Sequence, residues 1–362
     1  MNLNTYLQQL DLAKLDLHPL NDHYIADHLN EQEKELYLTM VSSFVLFDDL
    51  TEARTRLFGL YLNSCKTKLQ QGKIFNLAQN ISKEQIKEFS QLCILKKLKN
   101  SFLIDAFIFL RLDVPLNDRK NILLSEWINL LKINQENLEE LLYIVSEVLG
   151  IKHDFKINSS FNLSQANIWK EFIIRELTLD QLKESELQGF WLVKKDIEVN
   201  FNCSLNNINL YFENNSILKF KENLEVKLIQ SKFHNSLLYF NKVDKLLIDS
   251  CSFIGNYDVK KKFTVLKINA FEGEDSNCEI NHCYFETKDA QAISATRQRK
   301  FNFFRTALKK LSIENTKFNH CGNKLLLGGV AFLKDINFKF KEVTIENCIA
   351  LVSGGIYTSA LY

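Results

Sequence analysis

The chain contains few proline and glycine residues, which interrupt regular secondary structure, and it has almost no net charge. Only 2 of its 362 residues are proline and 11 are glycine, which excludes collagen-like proteins and chains built around flexible linkers. The 45 basic and 44 acidic residues nearly cancel, so the chain as a whole is not of the polyanion-binding class. Aromatic residues, in contrast, make up 12% of the chain, and their apolar surface excludes an intrinsically disordered protein.

Export and membrane signals are missing as well. The first residues do not combine a basic start with an apolar run, so no secretory signal is predicted. The apolar uncharged stretch at residues 36–47 is too short to cross a bilayer. We therefore expect a cytoplasmic protein of bacterial type, whose eight cysteines are reduced.

Motifs for catalysis, metals and cofactors are also absent from the sequence. It contains no CxxC, no zinc-type pairing of Cys with His, no P-loop and no GxGxxG, GxSxG or HExxH. Buried structural thiols are the expected role of the cysteines, since nothing nearby would lower a thiol pKa. The sequence therefore predicts no catalytic residue, no cofactor and no metal ligand.

The first half of the chain has the apolar period of helices. Between residues 33 and 47 apolar side chains recur at i, i+4, i+5, i+8 and i+11, and residues 101–112 form a strongly apolar helix. Ser82 with Gln85 predicts a capping box, and Gly150 predicts a helix end. We expect an α-helical domain over residues 1–155, followed by a linker and an amphipathic cap helix over 156–190.

Two stretches of this half resemble each other, at residues 44–54 and 107–119. Each is an apolar helix followed by an acidic turn, then a leucine, a capping residue, an acid and a base. Together with LLKINQENLEELLYIV further on, they resemble the TerB-like (tellurite-resistance) helical family over roughly residues 30–150. That family usually has Asp-Gly in these turns, whereas this chain has Asp48-Asp49 and Asp113-Val114. Whether the turns at Asp48/Asp49 and Asp113/Asp118 bind metal therefore stays open.

The second half has β periodicity and an internal repeat. From residue 197 apolar and polar residues alternate, as in β-strands. Five six-residue segments align without gaps, at spacings of 20, 32, 33 and 32 residues. They are LIQSKF at 228–233, IDSCSF at 248–253, INHCYF at 280–285, IENTKF at 313–318 and IENCIA at 345–350.

The columns of this alignment have a physical reason. In a solenoid, equivalent positions of successive coils lie about 4.8 Å apart, so each column must hold side chains that can stack. The sixth column predicts an interior stack of Phe233, Phe253, Phe285 and Phe318. The fourth column holds small residues that fit inside a tight corner: Ser231, Cys251, Cys283, Thr316 and Cys348. The third column, with His282, Asn315 and Asn347, could form a polar ladder at that corner.

These repeats resemble right-handed parallel β-helix proteins of the pectate-lyase-like and polymorphic outer-membrane types. The resemblance rests on LSIENTKFNHC, GGVAF and VTIENCIALVSGGIYTSA and covers about residues 195–362. It implies an α + β chain of two domains, with a short parallel β-helix over 191–362. Because this fold serves lyases, adhesins and scaffolds, the resemblance implies no single function.

A solenoid exposes its core and its strand edges at both ends. Residues 162–186 predict the amphipathic helix that covers the first end. The uncharged tail after residue 348 offers no such helix, although it is rich in apolar side chains. We therefore expect a protein partner or a second copy of the chain at this end, bound through Ile356, Tyr357, Leu361 and Tyr362.

Two other functions stay open. Residues 296–310 mix basic and aromatic side chains, which could bind nucleic acid through Arg297, Arg299, Lys300, Phe303 and Arg305. A polysaccharide lyase or hydrolase would need carboxylates and a base on one face, for which residues 272–275, Asp289 and the same arginines are candidates.

The favoured hypothesis is a non-enzymatic interaction or scaffold subunit. TerB-like families often belong to bacterial stress-response and phage-defence systems, so the helical resemblance implies a subunit of such a system. No membrane association is expected.

Overall fold

The structure is a computed structural model that describes residues 21–158, 161–183, 187–258, 261–270, 277–297, 310–326, 328–334 and 337–359. The chain divides into two compact units, Met1–Ile173 and Ile174–Tyr362. In the described part of the first unit the secondary structure is helical. In the second unit it is almost entirely parallel β-strand, as the sequence predicts.

The helices of the first unit follow one another with short connections. They are α1 Ile25–His28, α2 Glu31–Val45, α3 Glu52–Ser64, α4 Gln71–Ala78, α5 Lys83–Leu95, α6 Lys99–Arg111, α7 Asp118–Leu131, α8 Gln135–Leu149, a 3-10 helix Leu163–Trp169 and α9 Lys170–Ile173. Helix α6 is buried from Ser101 to Leu110 on all sides. A helix that is buried on every side must have neighbours on every side, so α6 forms the core of this unit.

Short polar side chains fix where these helices begin. Thr51, Asn117 and Asn134 each accept a hydrogen bond from the backbone N–H three residues further on. Ser82 and Gln85 form the predicted capping box. Gly150, at φ 63°, ends α8 in the left-handed conformation that favours glycine.

The amphipathic helix expected within residues 162–186 is not one continuous helix, although Ile168, Trp169, Ile173 and Leu177 of its predicted stripe are buried. Residues 163–173 form a 3-10 helix with a kink at Ala166 (φ −119°, ψ 25°) and then the single turn α9. Phe172, expected on the buried stripe, is 56% exposed. The chain then becomes a short strand, Arg175–Glu176, which pairs in parallel with Trp191 and Leu192. Main-chain hydrogen bonds of this strand therefore cover part of that first edge.

The second unit winds through three parallel sheets in turn. Sheet 1 holds β1 Arg175–Glu176, β2 Gly189–Val193, β5 Ile208–Phe212, β8 Lys232–His234, β11 Ser252–Asn256, β14 Tyr284–Lys288, β17 Lys317–Gly322 and β20 Thr344–Glu346. Sheet 2 holds β3 Ile197–Val199, β6 Leu218–Phe220, β9 Leu238–Asn241, β12 Phe263–Ala270, β15 Ala290–Arg297, β18 Ala331–Lys334 and β21 Ile356–Ser359. Sheet 3 holds β4 Cys203–Asn206, β7 Glu225–Ile229, β10 Lys245–Asp249, β13 Asn277–Asn281, β16 Lys310–Glu314 and β19 Asn337–Lys341. This is a parallel β-helix.

The predicted phenylalanine column is confirmed. The rings of Phe233, Phe253, Phe285 and Phe318 are fully buried, and their centroids lie 4.8, 4.6 and 4.8 Å apart in nearly parallel planes. The centroid spacing equals the distance between neighbouring strands. One column of rings therefore runs through four successive coils of the core.

The small residues of the fourth column close the corner between sheets 3 and 1. The residue before each of them is left-handed, with φ between 47° and 54° at Gln230, Ser250, His282 and Asn315. Each small side chain then donates to the carbonyl two residues earlier, at 2.7, 3.3, 3.1 and 2.8 Å for Ser231, Cys251, Cys283 and Thr316. Each of these carbonyls also accepts a backbone N–H from the preceding coil, so the hydroxyl or thiol adds a second hydrogen bond at the corner.

The fifth repeat segment was aligned in the wrong register. Ile345 pairs with Phe318 and not with Ile313, whose partner is Phe340. The corner between sheets 1 and 2 uses the same chemistry, because left-handed Asn347 precedes Cys348. The alignment therefore matched two different corners. Asn347 donates to Asn319 at 3.1 Å, so it does not belong to a ladder with His282.

The phenylalanine column provides a stability test. Phe285→Ala should lower the free energy of unfolding by about 3–5 kcal/mol, because it removes a fully buried ring and leaves a cavity. Denaturant unfolding measures the change. Tyr284→Ala is the control, since Tyr284 lies half-buried on the outer face of the same strand. Equal losses in the two variants would contradict an interior role for the column.

Candidate functional sites

The acidic turns of the helical unit bind cationic side chains of the protein itself. The guanidinium of Arg54 lies 2.9 Å from Asp48 and 2.8 Å from Asp113. The ammonium of Lys120 contacts Asp48 and donates to the carbonyl of Leu110 at 2.9 Å. Arg54 and Lys120 are buried, with 1% and 0% of their side chains exposed. The two carboxylates thus neutralise two cations that would otherwise be buried without a counter-charge.

The similarity of the two turns is structural. Arg54 is the third residue of α3, which Thr51 caps, and Lys120 is the third residue of α7, which Asn117 caps. Lys120 is therefore the counterpart of Arg54, and not Arg119 as the sequence pattern predicts. The guanidinium of Arg119 instead lies over the ring of Phe47, 5.6 Å from its centroid.

This arrangement leaves the turns poorly suited to a metal ion. Burial raises the pKa of Asp48, but hydrogen bonds from Lys120 and Arg54 outweigh it and hold the pKa below its ordinary value. Asp49 and Asp118 are exposed. In the described part of the chain no three His, Cys, Asp or Glu side chains are grouped to hold a metal.

A second polar cluster surrounds the buried carboxylate of Asp105 on α6. It accepts hydrogen bonds from Tyr37 at 2.7 Å, Tyr61 at 2.5 Å and the indole of Trp169 at 3.2 Å. The Nε2 of His23 lies 3.0 Å away. Because burial and the charge of Asp105 raise the pKa of both tyrosines, they remain protonated donors.

The His23–Asp105 pair is not arranged as a catalytic dyad. The backbone N–H of Ile25 donates to Nδ1 of His23, so Nε2 carries the proton and donates to Asp105. Both ring nitrogens are therefore occupied, and none is left to activate a nucleophile. The cluster is a structural centre that joins several helices.

A shallow cleft of about 250 Å³ lies on the outer face of sheet 3. Its lining is Asn277, Cys278, Glu279, Asn281, Ser312, Glu314 and Lys339. Glu314 accepts from Lys339 at 2.7 Å and from Ser312 at 3.2 Å, and these bonds lower its pKa. A glycosidase acid needs a carboxyl whose pKa is raised, so Glu314 does not suit that role. Of the predicted lyase residues, Asp289 lies at a turn, and those at 272–275 lie outside the described residues.

The predicted nucleic-acid residues fall mostly outside the described part of the chain. Arg297 is the last residue of β15, and Arg299, Lys300, Phe303 and Arg305 lie beyond it, where the structure gives no description.

Strand β15 belongs to sheet 2, whose outer face does carry basic and aromatic side chains. One column of this face holds Tyr239, Lys267, Ser294, Phe332 and Tyr357. The ammonium of Lys267 lies 5.3 Å from the centroid of the Tyr239 ring. The rings of Phe332 and Tyr357 are parallel, with centroids 5.6 Å apart.

The C-terminal end of the β-helix presents apolar side chains, and three of them, Ile349, Leu351 and Val352, belong to the uncharged apolar tail that the sequence singled out. Ile356 faces the interior and packs partly buried against the core, and Tyr357 stacks on Phe332. Leu361 and Tyr362 lie outside the described residues. The exposed apolar side chains are instead Phe338, Ile345, Ile349, Leu351 and Val352, with exposures of 44, 39, 53, 66 and 62%. Phe338 and Ile345 were missed because the fifth segment was misaligned.

Within the described residues, strands β19, β20 and β21 are the last of their sheets and pair on one side only. Glycines hold this end against the preceding coil: a Cβ on Gly329 would lie 2.5 Å from the carbonyl oxygen of Gly354. The rim charges pair among themselves, Lys317 with Glu346 at 2.8 Å and Lys339 with Glu314 at 2.7 Å. Among the described residues, this end therefore combines exposed apolar side chains with charges that are paired within it.

No protein-family model, curated protein or solved structure matches this chain. The two resemblances therefore rest on the residues quoted for them. Among the described helices, none has the length and apolar character needed to cross a membrane.

The acidic turns generate a test. Asp48→Asn should lower the free energy of unfolding at neutral pH by about 3 kcal/mol, because it leaves buried Lys120 and Arg54 short of a counter-charge. The depressed pKa of Asp48 gives the pH dependence: its contribution is present above about pH 4 and is lost as the pH falls through the lower pKa of the folded state. The difference between variant and wild type should therefore shrink in acid.

Denaturant unfolding at several pH values measures this effect. Exposed Asp49→Asn is the matched control and should change stability by less than about 0.5 kcal/mol. A pH-independent difference for Asp48→Asn would show that the charge of Asp48 is not what stabilises the turns.

Proposed function

We propose that this chain is a non-enzymatic interaction subunit of a multi-protein system, and that it makes its contact through the C-terminal end of the β-helix. The observation that carries the proposal is the set of exposed apolar side chains on the last coil. Ile345 continues the phenylalanine column beyond Phe318, yet it is 39% exposed where the four rings are fully buried. Within the part of the chain that the structure describes, the core of the solenoid is therefore partly uncovered at this position.

A second copy of the chain is the occupant that this end fits best. Its rim charges are already paired, so they neither repel an identical surface nor select a partner of opposite charge. The free strand edges supply N–H and C=O groups to an incoming edge. A two-fold, end-to-end contact is favoured because it closes, whereas a head-to-tail contact would continue into fibres.

The test replaces exposed apolar side chains by lysine. Ile345→Lys with Leu351→Lys should convert a dimer at tens of micromolar into a monomer, because the buried contact would have to hold two unpaired charges per subunit. Sedimentation or light scattering measures the particle mass. Ile254→Lys is the control, since Ile254 is 37% exposed on an internal strand of sheet 1.

The outcome decides between the occupants. A wild-type chain that is monomeric at these concentrations would rule out the second copy. A host protein that binds wild type and the Ile254→Lys variant, but not the double lysine variant, would assign this end to a different chain. A wild-type monomer that recovers no such protein would remove the proposal.

A second candidate function is favoured by the outer face of sheet 2. Among its described outward side chains from β9 to β21, Lys267 and Lys334 provide positive charge and none is acidic. Tyr239, Phe332 and Tyr357 offer rings in the same face. Half-buried rings beside cations suit single-stranded nucleic acid, whose bases stack while its phosphates pair with lysine.

Binding of a fluorescent single-stranded oligonucleotide tests this candidate. Lys267→Ala with Lys334→Ala should weaken binding at least tenfold and reduce its salt dependence. Lys227→Ala with Lys245→Ala, on the outer face of sheet 3, is the charge-matched control. Equal weakening in both pairs would mean that general charge, and not this face, binds the strand, and no binding by wild type would end the hypothesis.

A further inference from the structure

Two cysteines meet at the corner between sheets 1 and 2, on the last two coils. Asn319 and Glu346 are register partners, and Cys321 and Cys348 each follow two residues later. The backbone N–H of Cys321 donates to the sulfur of Cys348 at 3.4 Å. Cys321 is fully buried, whereas Cys348 is half-exposed at the open end.

We propose that Cys321 and Cys348 form an oxidant-sensitive modification site, which closes into a disulfide that joins the last coil to the preceding one. Neighbouring strands lie about 4.8 Å apart, and a disulfide needs Cα atoms roughly 4.4–6.8 Å apart. The two cysteines occupy equivalent corner positions, each donating to the carbonyl two residues earlier, at 3.4 and 3.1 Å. Their side chains therefore point the same way and into contact.

The reactive member of the pair is Cys348. The side chain and the backbone N–H of Cys321, which lie next to the sulfur of Cys348, lower the pKa of Cys348 to about 7, although its partial burial opposes this. Burial raises the thiol pKa of Cys203, Cys251 and Cys283 in the same unit. The sequence-based expectation that no group lowers a thiol pKa is therefore wrong at this position. Its partner lies 27 residues away in sequence, at a corner that the alignment did not recognise.

The reaction with a disulfide oxidant such as oxidised glutathione balances in two steps. The Cys348 thiolate attacks one glutathione sulfur, forms a mixed disulfide and releases one glutathione thiolate. The Cys321 thiol then loses its proton to solvent and attacks the sulfur of Cys348, which releases the second glutathione thiolate. Two protein thiols lose two electrons, and one oxidised glutathione becomes two reduced ones.

The chain contains its own controls. Cys251 and Cys283 are also stacked at one corner of successive coils and bond to the same carbonyl positions, but both are buried. Cys278 is half-buried like Cys348, and its register neighbours in the sheet are Leu246 and Leu311. Reaction at Cys278 therefore reports the effect of partial exposure without a cysteine register partner, and reaction at Cys251 and Cys283 reports the effect of stacking without exposure.

The experiment exposes the native full chain to oxidised glutathione, blocks free thiols by alkylation and maps the peptides by mass spectrometry. The expected product is the Cys321–Cys348 disulfide, with Cys251 and Cys283 free and Cys278 at most glutathionylated. Cys321→Ser should keep glutathione on Cys348, and Cys348→Ser should leave Cys321 unmodified. Oxidation should raise the thermal unfolding midpoint of wild type by several degrees, reversibly on reduction, but not that of Cys348→Ser.

Three outcomes would overturn the proposal. Cys348 could stay a free thiol while Cys278 reacts, or glutathione could remain on Cys348 in wild type. A Cys251–Cys283 disulfide appearing at the same rate would show that oxidation follows unfolding. Wild-type peptide mapping alone yields all three readouts, so the proposal is tested even if a serine variant does not fold.

Discussion

The β-helix depends on one constraint: every side chain of a coil lies about 4.8 Å from its equivalent on the next coil. A column is therefore stable only if each member can stack on the same kind of side chain. The rings of Phe253 and Phe285 satisfy this condition with a 4.6 Å centroid distance. The last member of a column meets this condition only in part, because it has a neighbour on one side only. The exposure of Ile345 follows from this geometry, and so does the proposed contact surface.

The same constraint explains why this unit is rich in cysteine. Several sharp corners have a left-handed residue followed by a small side chain that donates to a carbonyl, as serine, threonine and cysteine all can. Cysteine adds an apolar surface that suits a buried corner. At Cys251 and Cys283 that chemistry is inert, because both thiols are buried. Cys348 lies on the last coil and is only half-buried, so we expect its thiol to react.

Much of this architecture can be predicted from the sequence because its causes are local or periodic. Caps such as Ser82 act within one turn, and the phenylalanine column repeats along the chain. The misaligned fifth segment shows the limit: the peptide before Cys348 has the corner chemistry of the one before Cys283, so pattern alone could not tell the two corners apart. The strand at Arg175–Glu176 was missed because its partner, not its own sequence, makes it extended.

The candidate sites were harder to predict, since they depend on contacts between distant residues. Nothing in the sequence pairs Arg54 with Asp113, and the pattern selected Arg119 where Lys120 is the buried cation. That network and the Asp105 cluster fix how the helices pack against one another. The stacked columns do the same for the coils of the β-helix. An apolar helix such as α6 can rotate or slide among apolar neighbours at little cost, whereas a buried charge is tolerated only where its donors converge. We infer that directional polar contacts fix the register of helix packing in one unit, and that side-chain stacking fixes the register of the coils in the other.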